Sequence, residues 1–195
     1  PVWLMRQAGR YMSEYRALRA SEPDFISFCL NSTKASEVTM QPIKRFGFDA
    51  AIIFSDILLV PWALNRNVRF VPGPAPLLEP LQAVSDINAA LLDQMQNRLA
   101  PVGQAIQMTR AQLPKETALI GFAGAPWTIM TYMLEGQSSR DFPTSRCWLW
   151  ENNRNFDALL ELVIEATVRF LELQVRAGAD ALMLFDSWAS AVPAH

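Results

Sequence analysis

Two stretches of the sequence decide the fold: residues 45–56 read RFGFDAAIIFSD, and residues 176–187 read RAGADALMLFDS. In each stretch an arginine closes a helical pattern, and the glycine two residues later suits the left-handed end of a helix. An aspartate and an apolar run follow, and the run ends on a serine and aspartate pair. The second copy begins 131 residues after the first. The sequence therefore repeats one helix–strand unit.

Apolar strands that alternate with helices predict an α/β fold with a parallel sheet, because strands covered on both faces lose polar alternation. Four strands are expected, near residues 2–6, 50–55, 118–123 and 181–185. Polar side chains at strand ends are typical of sites in (β/α) barrels and in open sheets. A (β/α)8 barrel of the TIM type needs eight strands. We therefore expect residues 1–195 to form a single domain, either the first half of such a barrel or an open sheet.

Helical spacing and capping residues predict the elements between these strands. Residues 61–83 hold five prolines and are expected to form an irregular excursion with a hairpin around Asn65–Asn67. Pro101 is expected to interrupt the helical pattern between Ser85 and Leu113. The other helices are expected over Asp24–Leu30, from a cap at Ser32 or Thr33 to Phe46, from Pro126 to Leu134, and along the apolar repeat from Phe156 to a stop at Gly178.

The composition is that of a folded protein with little charge bias. The 195 residues are 51% hydrophobic and 18% charged, with a formal net charge of −2, which excludes disorder and gives no reason to expect nucleic acid. The longest apolar run, near Ile57–Leu64, is far too short to span a bilayer. The start at Pro1 has no secretory pattern, and two cysteines make no disulfide framework. The reducing cytoplasm is therefore the expected compartment.

Residues 1–20 carry the one local charge bias, with four arginines against a single glutamate. A positive patch in a slightly acidic protein indicates an anionic ligand. Arg6 and Arg10 flank Gly9 in a short loop and suit a carboxylate or phosphate clamp, the alternative being surface salt bridges. The four arginines are Arg6, Arg10, Arg16 and Arg19.

Two more candidate positions follow apolar runs. A carboxylate such as Asp56 is costly to desolvate at the end of a buried strand unless it is paired, and the alternative is that it caps the next helix. The loop over Gly121–Thr128 lacks the Lys-Ser/Thr of a P-loop and the third glycine of a dinucleotide fingerprint. Tight packing between strand and helix is its expected role. Tyr132 and Glu135 lie on the helix that follows, and either can face the strand ends.

Several chemistries are not expected. His195 is the only histidine, so the sequence offers neither a zinc cluster of histidine and cysteine nor a Ser-His-Asp triad.

Four stretches match the motifs of one known family, in order along the chain. Residues 1–11, PVWLMRQAGRY, and residues 121–128, GFAGAPWT, correspond to its two signatures. Residues 52–58, IIFSDIL, match its aspartate segment, and residues 185–189, FDSWA, match a later strand end. The chain thereby resembles the uroporphyrinogen decarboxylase family over its whole length. The second signature continues with Tyr132, Glu135 and Gly136.

The resemblance implies a site for a substrate with eight carboxylates. Asp56 would meet the four pyrrole N–H groups at the centre of uroporphyrinogen. Arg6 and Arg10 would hold substrate carboxylates, and an arginine there would also help to position or deliver a proton; these three residues are the implied catalytic set. The other implied substrate-binding residues are Gln7, Ala8, Gly9, Arg19, Ile52, Phe122, Tyr132 and Ser187.

The implied activity is that of a TIM-barrel lyase of heme biosynthesis. The family converts the four acetate side chains of uroporphyrinogen III to methyl groups, giving coproporphyrinogen III and four CO₂. It uses no metal or organic cofactor, and its members are cytoplasmic homodimers.

This chain departs from the family in its length. Members continue well beyond this point and supply from there a histidine contact that His195 does not match, and Ser190 stands where the family has glycine. A half-barrel exposes apolar strand edges, so we expect the isolated chain to have little activity. Two alternatives stay open: a corrinoid-linked zinc methyltransferase of the same superfamily, and a truncated, non-catalytic chain that associates with itself or with a full-length copy.

Overall fold

The computed structural model describes residues 1–22, 24–71, 76–87 and 90–192. Helices and strands alternate along most of this length, as the sequence predicts. The helices are α1 (Ser13–Ala20), α2 (Phe25–Leu30), α3 (Ser32–Phe46), α4 (Leu59–Ala63), α5 (Ala90–Gln112), α6 (Pro126–Glu135), α7 (Pro143–Glu151) and α8 (Asn153–Arg176); the strands are β1 (Ala50–Ile52), β2 (Ala118–Gly124) and β3 (Ala181–Phe185); and short 3₁₀ turns lie at Val84–Asp86 and Ala189–Ala191.

The three strands form one sheet in the order β1-β2-β3. Strands β1 and β2 are parallel, with Ala50 beside Ala118 and Ile52 beside Ile120. Strand β3 runs the same way along β2, since Asp180 N donates to the Leu119 carbonyl at 2.8 Å and Ala125 N donates to the Phe185 carbonyl at 2.9 Å. The α/β class with a parallel sheet is confirmed.

The predicted first strand is wrong: residues 2–5 are exposed and have no strand pairing. Asp49 contacts Val2 through two bonds: Asp49 N donates to the Val2 carbonyl at 2.9 Å, and Val2 N donates to the Asp49 carboxylate. The amide of Gln7 occupies the edge of β1 instead, because its Nε2 donates to the Ala50 carbonyl at 2.7 Å and its Oε1 accepts from Ile52 N at 3.2 Å. A side chain thus pairs with β1 where the sequence suggests a strand.

The cap of α3 also differs from the prediction. Asn31, one residue before Ser32, accepts from Lys34 N at 3.1 Å and starts the helix. Asp24 does the same for α2 by accepting from Ser27 N at 2.7 Å, so the predicted short helix is confirmed. The stop of α3 at Gly47 follows from its left-handed backbone, with φ of 65°.

The proline-rich stretch is more regular than predicted. Pro61 lies inside α4, and the chain turns at Asn65, whose φ is 60°. The predicted hairpin around Asn65–Asn67 is wrong, since the antiparallel bridge joins Arg69 to Leu77 further along. The expected break near Pro101 is wrong too, because α5 is continuous through that residue. Pro72 and Pro74, which belong to the predicted excursion, lie outside the described residues, as does His195.

The chain divides into two compact units. The first comprises Pro1–Asp56, Leu99–Phe122 and Leu171–Met183; the second comprises Ile57–Arg98, Ala123–Phe170 and Leu184–His195. The single domain over residues 1–195 stays a prediction.

Each unit has its own buried apolar side chains. In the first unit, Met12, Tyr15, Phe28 and Val38 form a cluster, and Phe54 lies edge-on to Phe28 with ring centroids 5.2 Å apart. In the second unit, α6 contacts α4 and α7, and its inner face is fully buried. The buried residues of that face are Ile129, Met130, Met133 and Leu134.

Candidate functional site

The loop that carries Arg6 and Arg10 is fixed by its own hydrogen bonds. Gln7 is only 2% exposed, and its amide is bound to β1. Its carbonyl accepts from the hydroxyl of Tyr11, and Met12 N donates to the Gly9 carbonyl at 3.0 Å. The side chain of Gln7 therefore holds the loop on β1, while Ala8 and Gly9 next to it are partly exposed.

A cavity of about 400 Å³ opens beside this loop in the first unit. Its lining brings together Arg10 and Arg19, two of the arginines that the resemblance assigns to substrate carboxylates, and adds Arg16, which lies between them in sequence. Arg6 is exposed and is not among the residues that line this cavity. The other lining residues are Tyr15 and Ala20.

The cavity arginines are held in different ways. Arg16 Nη1 donates to the Arg10 carbonyl at 2.8 Å. Arg19 donates to the Glu22 carbonyl, and its guanidinium carbon lies 5.5 and 5.6 Å from the ring centroids of Phe25 and Phe28. Stacking on aromatic faces keeps a guanidinium oriented while it stays charged. The cavity thus presents positive charge in fixed directions.

Tyr15 forms the inner wall of the cavity. It is 6% exposed, and its ring lies edge-on to Phe28 at 6.0 Å between centroids. Burial raises the pKa of Tyr15, while the charges of Arg19 and Arg10 oppose that rise. The phenol is therefore neutral at physiological pH and adds no negative charge to the cavity.

Asp56 follows the extended end of β1. Ile53 N still donates to the Ile120 carbonyl at 3.0 Å, and Phe54 N donates to Thr39 Oγ1 at 2.9 Å. The alternative role for Asp56 is that of a helix N-cap, but the N-cap position of α4, which begins at Leu59, is occupied by Leu58. Asp56 is partly buried at this strand end.

The environment of Asp56 includes the buried thiol of Cys29. Burial raises the pKa of Cys29 well above its usual value, and the charge of Asp56 raises it further. Both groups belong to the first unit.

Ile52 and Phe122 lie on the adjacent strands of the first unit. Ile52 pairs with Ile120, and Phe122 comes two residues later on β2, on the same face of that strand. The amide of Gln174 holds Phe122 through two bonds of 2.8 Å, one from Phe122 N and one to its carbonyl. The backbone at Phe122 is thus fixed from α8.

Ser187 and Tyr132 belong to the second unit. Ser187 is exposed just after β3, between two residues that the first turn of α6 holds. Thr128 Oγ1 donates to Asp186 Oδ1 at 2.7 Å and accepts from Trp188 N at 3.2 Å. The ring of Tyr132 lies 6.3 Å from that of Trp188 between centroids. Ser187 therefore sits in a turn that is bound on both sides.

The glycine-rich loop packs a strand against a helix, as predicted. A Cβ at Gly124 would lie 2.5 Å from Ile129 Cδ1 and 3.0 Å from Ile57 Cβ, and α6 begins two residues later. Glu135, at the other end of α6, accepts from Ser145 N at 2.8 Å and from Ser145 Oγ at 2.9 Å. Its carboxylate thus joins α6 to α7.

Three candidate residues of the site do not stand out in the sequence. Arg16 entered only as part of the local charge, although its spacing of three residues from Arg19 predicts a shared helix face. Tyr15 carries no sequence signal that separates it from core residues, and Thr128 closes the second signature but has no role implied by the resemblance. Within the described ranges, no three His, Cys, Asp or Glu side chains gather as a metal site would require. No helix in those ranges has the length and apolar character needed to cross a membrane.

The fold is shared with a solved structure. A methyltransferase from Methanosarcina mazei superposes with a TM-score of 0.69 at 15% identity, over 87% of this chain and 50% of that chain. At this identity the likeness concerns the fold alone, and it supports an α/β barrel architecture of which this chain holds a part.

The sequence comparisons give the family. The profile described as Uroporphyrinogen decarboxylase (URO-D) matches residues 1–195. The uroporphyrinogen decarboxylases of Rhodospirillum rubrum and Maricaulis maris are each 49% identical over 193 residues, which is 99% of this chain and 56% of each relative. That of Caulobacter vibrioides is 50% identical over 189 residues. The chain belongs to the uroporphyrinogen decarboxylase family and spans about half the length of the curated relatives it matches.

Proposed function

We propose that this chain carries the carboxylate-binding and aspartate part of a uroporphyrinogen decarboxylase site. The observation that carries the proposal is the cavity of about 400 Å³ lined by Arg10, Arg16 and Arg19. The same unit holds Asp56 at the end of β1. A ligand with several carboxylates and a cluster of N–H donors uses both features. Uroporphyrinogen, with eight carboxylates and four pyrrole N–H groups, is such a ligand.

Arginine and aspartate supply complementary recognition. Guanidinium groups bind carboxylates in bidentate geometry, so Arg10 and Arg19 hold the acidic side chains of the substrate. An ionised carboxylate only accepts hydrogen bonds and has about four lone-pair directions, so Asp56 receives the converging pyrrole N–H groups. Its negative charge also stabilises positive charge that develops on a protonated pyrrole.

The reaction needs no group beyond the substrate's own ring. A proton adds to a pyrrole carbon and makes the ring an electron sink. The bond between the acetate methylene and its carboxylate then breaks, the electron pair moves into the ring, and CO₂ leaves. A proton adds to the methylene as the first proton departs, which leaves a methyl group. Four repetitions give coproporphyrinogen and four CO₂.

Other residues have supporting roles in the proposal. Arg6 binds a further carboxylate and Ser187 contacts the substrate from the turn after β3. The proposal also includes a cytoplasmic homodimer, supported by the family resemblance. The remaining substrate contacts are Gln7, Ala8, Gly9, Ile52, Phe122 and Tyr132.

The test is anaerobic incubation of the chain with uroporphyrinogen, followed by chromatography that counts the carboxylates of the products. We expect slow loss of carboxylates that Asp56→Asn abolishes and Asp157→Asn, an exposed control on α8, leaves unchanged. Fluorescence titration with oxidised uroporphyrin measures binding separately. A folded chain that neither binds uroporphyrin nor removes a carboxylate would falsify the proposal.

A further inference from the structure

Arg16 shares the cavity with Arg10 and Arg19 but has no role in the implied site. It lies on α1, three residues before Arg19, so the two side chains leave the same face of the helix. Its Nη1 donates to the Arg10 carbonyl at 2.8 Å. Arg16 therefore contacts the loop of one cavity arginine and stands beside the other on their common helix.

No carboxylate in the described part of the chain forms an ion pair with Arg16. Four other arginines pair with carboxylates at 2.7–3.1 Å, whereas no carboxylate of the described residues pairs with Arg10 or Arg16. A guanidinium has five N–H donors, and the described bond to Arg10 uses one of them. The cavity thus holds positive charge and donors that a ligand can use. The paired arginines are Arg45, Arg110, Arg169 and Arg176.

We propose that Arg16 is a third ligand-binding arginine of this cavity, and that the cavity takes two neighbouring carboxylates of one ligand at once. The inference rests on the proposed function and deepens it, since each pyrrole ring of uroporphyrinogen carries an acetate beside a propionate. A volume of about 400 Å³ lies within the range of ligand pockets and accommodates both arms. Arg16 favours the binding of pyrrole rings that carry both the acetate and the propionate over rings whose acetate has been decarboxylated.

Two substitutions separate this role from simple support of the Arg10 loop. Arg16→Gln keeps an N–H donor for the Arg10 carbonyl and removes the charge. Arg16→Lys keeps the charge and loses the planar fork. Arg16 is exposed on a short helix, so both variants are expected to fold, and a thermal melt of each checks this. Arg176→Gln is the matched control, because that arginine is exposed and pairs within its own helix with Glu172.

Small probes test the cavity without any need for catalysis. The chain is titrated with tricarballylate, which has three carboxylates, and with acetate, which has one, at constant ionic strength. The arginine Nε–H signals are followed by NMR. We expect tricarballylate to shift the signals of Arg10, Arg16 and Arg19 together and to bind about tenfold more weakly to Arg16→Gln. The tricarballylate affinity of Arg16→Lys is expected to lie between those of the parent chain and Arg16→Gln. The acetate affinity is expected to change little in either variant. Arg176→Gln is expected to bind both probes as the parent chain does.

Equal tricarballylate affinity in the parent chain and Arg16→Gln would overturn the inference, as would the absence of any shift at Arg16. The outcome of the decarboxylation assay is independent of the outcome of the tricarballylate titration. Binding of tricarballylate through Arg16 without decarboxylation leaves the inference standing and counts against the proposed function. Decarboxylation with an unchanged KM in Arg16→Gln overturns the inference and leaves the proposed function standing.

Discussion

Thr128 Oγ1 donates a 2.7 Å hydrogen bond to Asp186 Oδ1, so the first turn of α6 is bound to the residue that follows β3. The same oxygen accepts from Trp188 N at 3.2 Å, and Trp127 Nε1 donates to the Trp188 carbonyl at 2.9 Å. These bonds hold the residues on either side of Ser187. The position of a proposed substrate contact is therefore set by a threonine in the first turn of α6.

Thr128→Val is expected to lower the free energy of unfolding by about 1–2 kcal/mol, because valine keeps the shape and removes both bonds of the hydroxyl. Thr131→Val is the matched control, since that hydroxyl bonds only to the Thr128 carbonyl within α6, and it is expected to cost less. Urea denaturation measures both. Equal losses would contradict a special role for Thr128, and uroporphyrin binding should weaken only in Thr128→Val.

Gln7→Leu is expected to lower the free energy of unfolding by about 2–4 kcal/mol, because the backbone partners at Ala50 and Ile52 lose their hydrogen bonds. Gln174→Leu makes the same change at Phe122, where another glutamine amide binds strand backbone twice. Denaturant melts are expected to give similar losses. Tricarballylate binding distinguishes the two, since Gln7 holds the loop of Arg10; loss of binding in both variants would contradict that assignment.

The contrast between Gln7 and residues 2–5 shows the limit of reading strands from sequence. Strand β3 and the stop at Gly178 follow from local patterns, an apolar run and a glycine whose φ is 108°. The residues near Val2 also form an apolar run. Whether such a run pairs with β1 depends on which backbone or side-chain groups form hydrogen bonds with the edge of β1. The buried amide of Gln7 forms the hydrogen bonds at that edge instead. The local spacing of apolar residues does not indicate which group will do so.

From the sequence, only the site residues that match the family's motifs could be predicted. The family motifs predict carboxylate binding at Arg10 and Arg19; both residues line one cavity, and their binding of carboxylates stays a prediction. Arg16 reaches the same cavity because α1 forms, and no helix was predicted there. The bonds of Thr128 join residues about 60 positions apart, so only the folded chain reveals them.

Gly136→Ala is expected to be more destabilising than Gly47→Ala, although both glycines end helices with positive φ, 75° and 65°. A Cβ at Gly136 would lie 2.8 Å from the Leu78 carbonyl oxygen, while a Cβ at Gly47 meets nothing within 4 Å. We expect a loss of about 1–2 kcal/mol at Gly47 from backbone strain alone and about 2–4 kcal/mol at Gly136, where crowding adds to it. Thermal melts that rank the two in the opposite order would refute this.

The stability of the fold is expected to fall as pH rises from about 8.5 to 10. Burial, and then the charge of Asp56, raises the pKa of Cys29 in the folded chain, so only the unfolded chain ionises the thiol in this window. The stabilisation that comes from the un-ionised thiol of Cys29 is fully present below the ordinary thiol pKa. As the pH rises above that value, it is lost at up to about 1.4 kcal/mol per pH unit. The pKa of Tyr15 is raised from 10.0, so its own contribution is lost only at higher pH.

Denaturant melts at several pH values, with Cys29→Ala beside the parent chain, measure this slope. The free energy of unfolding of Cys29→Ala is expected to change less with pH between pH 8.5 and 10 than that of the parent chain, whatever the absolute stability of the variant. A slope that Cys29→Ala leaves unchanged would assign the effect to other groups.

The pairing of Gln7 with β1 also predicts where the chain tolerates added residues. Residues 2–5 are exposed, and the described backbone bond to Val2 comes from Asp49 alone, so a few glycines inserted between Leu4 and Met5 lengthen a surface segment. Between Gln7 and Arg10 an insertion of one residue displaces the arginine from the amide that fixes its loop. Neighbouring peptide bonds in this short stretch thus differ sharply in their capacity to accept a linker or an affinity tag.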